Sequence, residues 1–170
     1  EIERSLEARL FYLAVSTSLA LPDICAALLD PDGKTNREKY MKFYDTWLRI
    51  PGYLNLLPAD IYRLRCGIIH QGIAGHPGMT MPAKRIIFTV PSPSNMPGGF
   101  AAHGFTIAGH NIAPSFFLDA VMFCRKMTEG VSKWYEANIT DPNLVANLPA
   151  LVQYRPNGIA PYIEGFPVIA

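Results

Sequence analysis

The stretch Tyr62-Arg63-Leu64-Arg65-Cys66-Gly67-Ile68-Ile69-His70-Gln71-Gly72 sets two arginines and a histidine among apolar residues at helical spacing. Its flanks mark it as a helix. Pro58-Ala59-Asp60 places proline in a first turn and an acid near the positive end, and Gly72 is a natural stop, so a helix is expected over Ala59–Gln71. At roughly 100° per residue Arg65 and His70 stand roughly 140° apart around the axis, whereas Arg63 and His70 nearly coincide. Either arginine can therefore approach the imidazole, by different geometry. Gly67 inside a helix costs about 1 kcal/mol relative to alanine, a sign that something comes close to the backbone there.

Upstream, Leu6, Leu10, Leu13 and Val15 with Ala8, Ala14 and Ala20 make a helix apolar over most of its surface, as at the centre of a bundle. Pro22 is expected to interrupt it and Asp23 to cap a continuation, giving two helices or one kinked helix across Glu3–Leu29. Its longest apolar stretch, Leu10–Leu21, is shorter than the roughly 20 residues a membrane span needs, so it reads as a core helix with no membrane contact. After the turn Asp30-Pro31-Asp32-Gly33, the residues Tyr40, Phe43, Tyr44, Trp47 and Leu48 give Asn36–Arg49 one aromatic face, and Pro51-Gly52 ends it. Such a face can stack bases, but its helical spacing assigns it to the core.

Downstream, between Gly75 and Pro114, proline and glycine become frequent and two β-prone runs, Lys84–Val90 and Ala102–Ile107, predict a β-hairpin or two-stranded insertion with a mobile tip at Pro91–Gly99. Pro114-Ser115 is expected to open a long helix through about Asn138, with Phe117, Val121, Cys124, Met127 and Val131 at helical spacings. Asp141-Pro142 reads as the cap and first residue of a short helix, Asn143–Val152. The tail Tyr154–Ala170 is rich in proline and glycine and extended, and its hydrophobicity predicts that it lies against the bundle or a partner.

A chain of 170 residues, nearly half of them apolar, fits one domain with a continuous core, here residues 1–170. Fifteen basic against fourteen acidic residues create no global field for nucleic acid or an anionic membrane, so any RNA contact has to be local. Cys25, Cys66 and Cys124 are far apart and odd in number, and read as reduced packing residues. The opening Glu1-Ile2-Glu3-Arg4 shows no basic segment followed by an apolar one, which leads to the expectation of a cytoplasmic protein, while a first residue other than Met is consistent with a longer native chain. His70, His76, His103 and His110 lack the close paired spacing of metal sites, and Gly98-Gly99 or Gly72 with Gly75 lack the strand-to-helix context of a phosphate cradle, so neither metal nor cofactor is expected.

Imidazole can move a proton near neutral pH, and guanidinium can grip a phosphate through a planar fork of donors. Together they suit metal-free phosphodiester cleavage, in which a ribose 2′-hydroxyl attacks its own phosphorus. The run Tyr62–Gly72 in a helical context resembles the Arg-x4–6-His signature of the HEPN superfamily. Arg65 and His70 match the x4 form, and Arg63 with His70 fits the x6 form. The rest of the chain, including Leu6–Leu29 and Tyr154–Ala170, is similar to a group of uncharacterised bacterial proteins carrying this helix.

That resemblance implies a mainly α fold, a bundle of four to five helices carrying a small β-hairpin insertion at about residues 84–107 and an extended C-terminal tail. It implies a homodimer whose motif helices line a shared cleft, and metal-independent cutting of RNA. Arg65 and His70 would be the catalytic pair, with Arg63, Tyr62 and Gln71 binding substrate. Cys66 departs from the pattern, standing where active members often carry a polar residue. Two alternatives stand beside this reading. The bundle is a non-catalytic nucleotide-binding or protein-interaction module, or the motif residues are structural, with the arginine paired to an acid such as Asp60, Asp45 or Glu7 and His70 capping a helix C-terminus.

Overall fold

Helix α2, Phe11–Leu28, buries Ala14, Val15, Ser18, Leu19, Pro22, Cys25 and Leu28 at spacings of one helical face. The computed structural model describes residues 1–49, 56–91, 106–110 and 112–170. Within these the fold is mainly α, with six α-helices, one more than the largest number expected. The expected ending at Pro51-Gly52, most of the Pro91–Gly99 tip, and His103 lie outside the described residues.

The break expected at Pro22 falls elsewhere. Helix α1, Ile2–Glu7, ends before Arg9, whose φ of 59° turns the chain, and α2 then runs unbroken through Pro22. Proline removes the amide that would reach the Ser18 carbonyl. One residue along, the Leu19 carbonyl accepts the Tyr40 hydroxyl at 3.0 Å, so the site of the proline is held from a neighbouring helix. Asp23 is consequently mid-helical and not a cap. Phe11–Leu28 is long and apolar enough to cross a membrane by composition, yet 44% of it is buried within the protein and it packs against α1, α3 and α5.

Helix α3, Arg37–Phe43, starts where Asn36 accepts the Lys39 amide at 2.9 Å, and continues as a wider π turn over Tyr44–Leu48. Its aromatic face is core: Tyr40, Phe43 and Tyr44 are buried, and Phe43 meets Trp134 edge-on at 5.4 Å. Helix α4, Pro58–Cys66, likewise runs on into a π turn, Gly67–Gln71.

A three-stranded sheet follows, built from β1 (Arg85–Thr89), β2 (Thr106–Gly109) and β3 (Ile112–Asp119) in the order β1-β3-β2. This corrects two expectations. The two β-prone runs do not pair as a hairpin, because β3 lies between them, parallel to β1 and antiparallel to β2. The helix expected from Ser115 starts only after Asp119, whose carboxylate accepts the Met122 amide at 2.8 Å and caps α5, Ala120–Asn138. Ser115-Phe116-Phe117-Leu118 is apolar and aromatic enough to serve a strand, and pairing on one side with β1, Arg85 opposite Ser115 and Phe88 opposite Leu118, and on the other with β2 decides the matter. Ile86 and Leu118 join the same core as α2, α3 and α5, so the sheet is part of the bundle's interior.

Asp141 caps α6, Pro142–Asn147, as read from the sequence, and a 3₁₀ turn, Leu148–Ala150, follows. The tail, expected against the bundle or a partner, is largely exposed on this chain. It pairs with itself, β4 (Tyr154–Arg155) with β7 (Val168–Ile169) and β5 (Gly158–Ile159) with β6 (Ile163–Glu164), leaving Tyr154, Tyr162, Phe166 and Ile169 exposed.

Two predictions arise from this packing. A Cβ on Gly130 of α5 would lie 2.7 Å from the Trp47 carbonyl and 2.4 Å from Leu48, so Gly130→Ala is expected to lower stability by about 1–3 kcal/mol in chemical denaturation. Burial pushes the Cys25 thiol up to about 12 and that of Cys124 up to about 11, whereas Cys66 is only half-buried. A thiol reagent at pH 8 is therefore expected to modify Cys66 in the native protein and the other two only on unfolding, as mass spectrometry of the labelled chain will show.

Candidate functional site

The site is set by the change of helical pitch at Gly67. In a regular helix Arg65 and His70 would diverge, but a turn closed by i→i+5 bonds is wider and brings residues five apart towards one face. The Gly72 amide bonds back to the Gly67 carbonyl, and Arg65 Nη1 lies 2.8 Å from His70 Nε2. Gly72, at φ 69°, ends the helix in the left-handed conformation, as its position in the sequence suggests. The close approach anticipated at Gly67 is also present. A Cβ there would sit 2.6 Å from the Ile73 carbonyl oxygen and 3.2 Å from that of Gly75.

Asp23 of α2 completes the arrangement. Its carboxylate lies 2.7 Å from Arg65 Nη2, with the two side chains 17% and 20% exposed. The acid that pairs with Arg65 is thus none of Asp60, Asp45 or Glu7: Asp60 pairs with Arg63 and Asp45 with Arg49. Burial works against the charge on Arg65, but Asp23 and the neighbouring Cys66 sulfur outweigh it, so the guanidinium is held more firmly charged than a free arginine. The sequence reads Asp23 as a helix cap, and only its standing as the single acid of an apolar helix points to a partner elsewhere.

The protonation pattern follows from donor chemistry. A guanidinium only donates, so His70 Nε2 must accept, and its proton therefore sits on Nδ1. His70 is exposed, on the last turn before Gly72. The chain presents, in a line, a carboxylate, a fixed cation and a neutral imidazole. Tyr12 ties α2 to the same turn, its hydroxyl donating to the Ile68 carbonyl at 3.1 Å.

The other residues expected at the site separate from this line. Arg63 turns to Asp60, 3.4 Å away, while Arg65 takes His70. Tyr62 packs edge-on against Tyr40 at 5.3 Å with the Arg37 guanidinium over its ring, and Gln71 is exposed. Asp60 is fully buried and serves as an anchor. It accepts from the Thr80 amide at 2.6 Å, the Thr80 hydroxyl at 2.6 Å and the Met81 amide at 3.2 Å, tying the segment after the motif back onto α4. Among the described residues no three of His, Cys, Asp and Glu gather as a metal site would require.

Compared with family models, curated proteins and solved structures, the chain finds no match.

Because Asp60 holds three donors and an arginine at full burial, Asp60→Asn leaves part of that set unmatched. A loss of about 2–4 kcal/mol in denaturant unfolding is expected, accompanied by faster proteolysis between Ile73 and Lys84, whereas Asp45→Asn at the surface pair should change little.

Proposed function

We propose that the protein is a HEPN-like, metal-independent endoribonuclease in which Arg65 holds the phosphate and His70 transfers the proton. The observation that carries this reading is the 2.8 Å contact between Arg65 and His70 with Asp23 behind the guanidinium. Arg65 stays anchored to Asp23 through Nη2 while Nη1 exchanges His70 for a phosphate oxygen. That exchange frees His70 Nε2 as a base at the moment substrate arrives.

His70 then takes the 2′-hydroxyl proton, the O2′–P bond forms, and charge on the phosphorane is met by the guanidinium. The P–O5′ bond breaks, leaving a 2′,3′-cyclic phosphate and a 5′-hydroxyl once the leaving oxygen is protonated. That last step needs an acid, and one chain places a single imidazole at the pair. A second copy related by a two-fold axis supplies the other histidine. Exposed apolar residues beside the site, Tyr12 and Leu13 on α2 with Ile69 and Ile73 around the turn, support such a homodimer, whose cleft would join the two pairs. This reading places the protein in the cytoplasm, where RNA is found.

One observation favours a second reading, a non-catalytic nucleotide-binding or interaction module: the charge of Arg65 is already matched within the chain by Asp23. Cleavage separates the two. With chelator present, wild type is expected to convert mixed-sequence RNA to fragments ending in cyclic phosphate, and Arg65→Ala or His70→Ala to slow this at least about 100-fold with unchanged circular dichroism. Sedimentation is expected to show a dimer. Wild type as inert as both variants on varied RNAs would falsify the nuclease, and a monomer at all concentrations would remove the shared cleft.

A further inference from the structure

A cavity of about 790 Å³ lies immediately beyond the motif helix and is not used by the reaction above. It is lined by Gly72–Pro77 and Lys84–Ile87. These two segments pair side by side. The Ile86 amide donates to the Ala74 carbonyl at 2.8 Å and the His76 amide to the Lys84 carbonyl at 3.1 Å, which extends the sheet by one more short strand beside β1. Gly75 permits the approach, since a Cβ there would lie 2.6 Å from the Lys84 carbonyl oxygen.

The chemistry of the lining is one-sided. Among the described residues His76, Lys84 and Arg85 contribute every ionisable side chain of the cavity, no carboxylate lines it, and its apolar surface comes from Ile73, Pro77, Ile86 and Ile87. His76 Nδ1 accepts the Gly78 amide at 2.9 Å, so the neutral ring carries its proton on Nε2 and offers a donor. Arg63 stands beside this loop: a Cβ on Gly78 would be 3.1 Å from His76 Nδ1 and 3.4 Å from Arg63 Nε. Lys84 and Arg85 are exposed, the Lys84 ammonium donating to the Met79 carbonyl. In a chain of formal net charge +1, a cavity whose described ionisable side chains are all basic is a local feature and not a consequence of composition.

Anionic groups alternating with apolar surfaces are the pattern such a lining fits, and a single RNA strand has that pattern, phosphates along one side and base faces along the other. The lining begins at Gly72, whose Cα is at most about 7.6 Å along the chain from that of His70. We infer that the groove over the joined segments Gly72–Pro77 and Lys84–Ile87 is the path of a single RNA strand flanking the phosphate held at Arg65 and His70, with Arg85, Lys84 and His76 contacting its backbone. This rests on the ribonuclease reading for its choice of strand, but binding and cleavage are measured apart.

The test uses a fluorescent 2′-O-methyl oligoribonucleotide of mixed sequence, which lacks the attacking hydroxyl and reports binding alone. Arg85→Glu is expected to weaken its anisotropy-measured affinity about tenfold at 0.1 M salt and to reduce the slope of log affinity against log salt by about one. Lys133→Glu, the same charge change on an exposed position of α5, is expected to leave both unaltered. Arg85→Glu binding as wild type does with an equal salt slope, or wild type not binding at all, overturns the groove. Arg85-dependent binding together with uncut unmodified RNA upholds the groove and rejects the nuclease chemistry.

Discussion

Gly67 has room for no side chain, because the chain that leaves the motif helix doubles back across it with the Ile73 and Gly75 carbonyls pressed against its Cα. That single steric constraint has several consequences. It lets the helix widen into an i→i+5 turn, it ends the helix at Gly72 in a left-handed conformation, and it sends residues 73–76 alongside β1. A side chain at this position would force the crossing segment outward, and both the Arg65–His70 contact and the groove beyond it depend on that crossing. The roughly 1 kcal/mol that glycine costs a helix is small beside the clash it avoids.

Placing the cation is the work of a second element. Helix α2 carries Asp23 to Arg65 because it continues through Pro22 without breaking, and the Tyr40 hydroxyl on the Leu19 carbonyl fixes α2 against α3 at that level. An arginine held at one end by a partly buried carboxylate has lost most of its rotamer freedom, so in the proposed reaction a phosphate would meet a fork already in place. The imidazole at the other end is exposed. Tyr12, bonded to the Ile68 carbonyl, and Asp60, bonded to Thr80 and Met81, hold the two flanks of the turn.

Much of this was readable from local sequence. Pro58 and Gly72 bound the motif helix, Gly67 announces a close approach, Asp141-Pro142 starts α6, and the aromatic face of Tyr40, Phe43 and Tyr44 is core. What escaped depends on distant partners or on departures from ideal pitch. A uniform 100° per residue separates Arg65 from His70, and only the π turn reunites them. Asp23 looked like a cap because its true partner lies on another helix. Ser115–Leu118 satisfies helical and extended patterns alike, and β1, far off in sequence, together with the nearby β2 chooses between them. Arg9, which breaks the first helix, has no proline or glycine to mark it. The tail's self-pairing is equally non-local, Gln153 exchanging both backbone bonds with Ala170.

The account stands on Arg65 donating to His70 Nε2, and the ring's tautomer reports that bond directly. Nitrogen-15 NMR of the imidazole side chains, with His70 assigned by its absence in His70→Ala, distinguishes a protonated Nδ1 from a protonated Nε2. The predicted spectrum shows His70 neutral with its proton on Nδ1 and an acceptor shift at Nε2 that changes when Arg65 is replaced by alanine. A neutral ring protonated on Nε2, indifferent to Arg65, contradicts the arrangement on which the site is built.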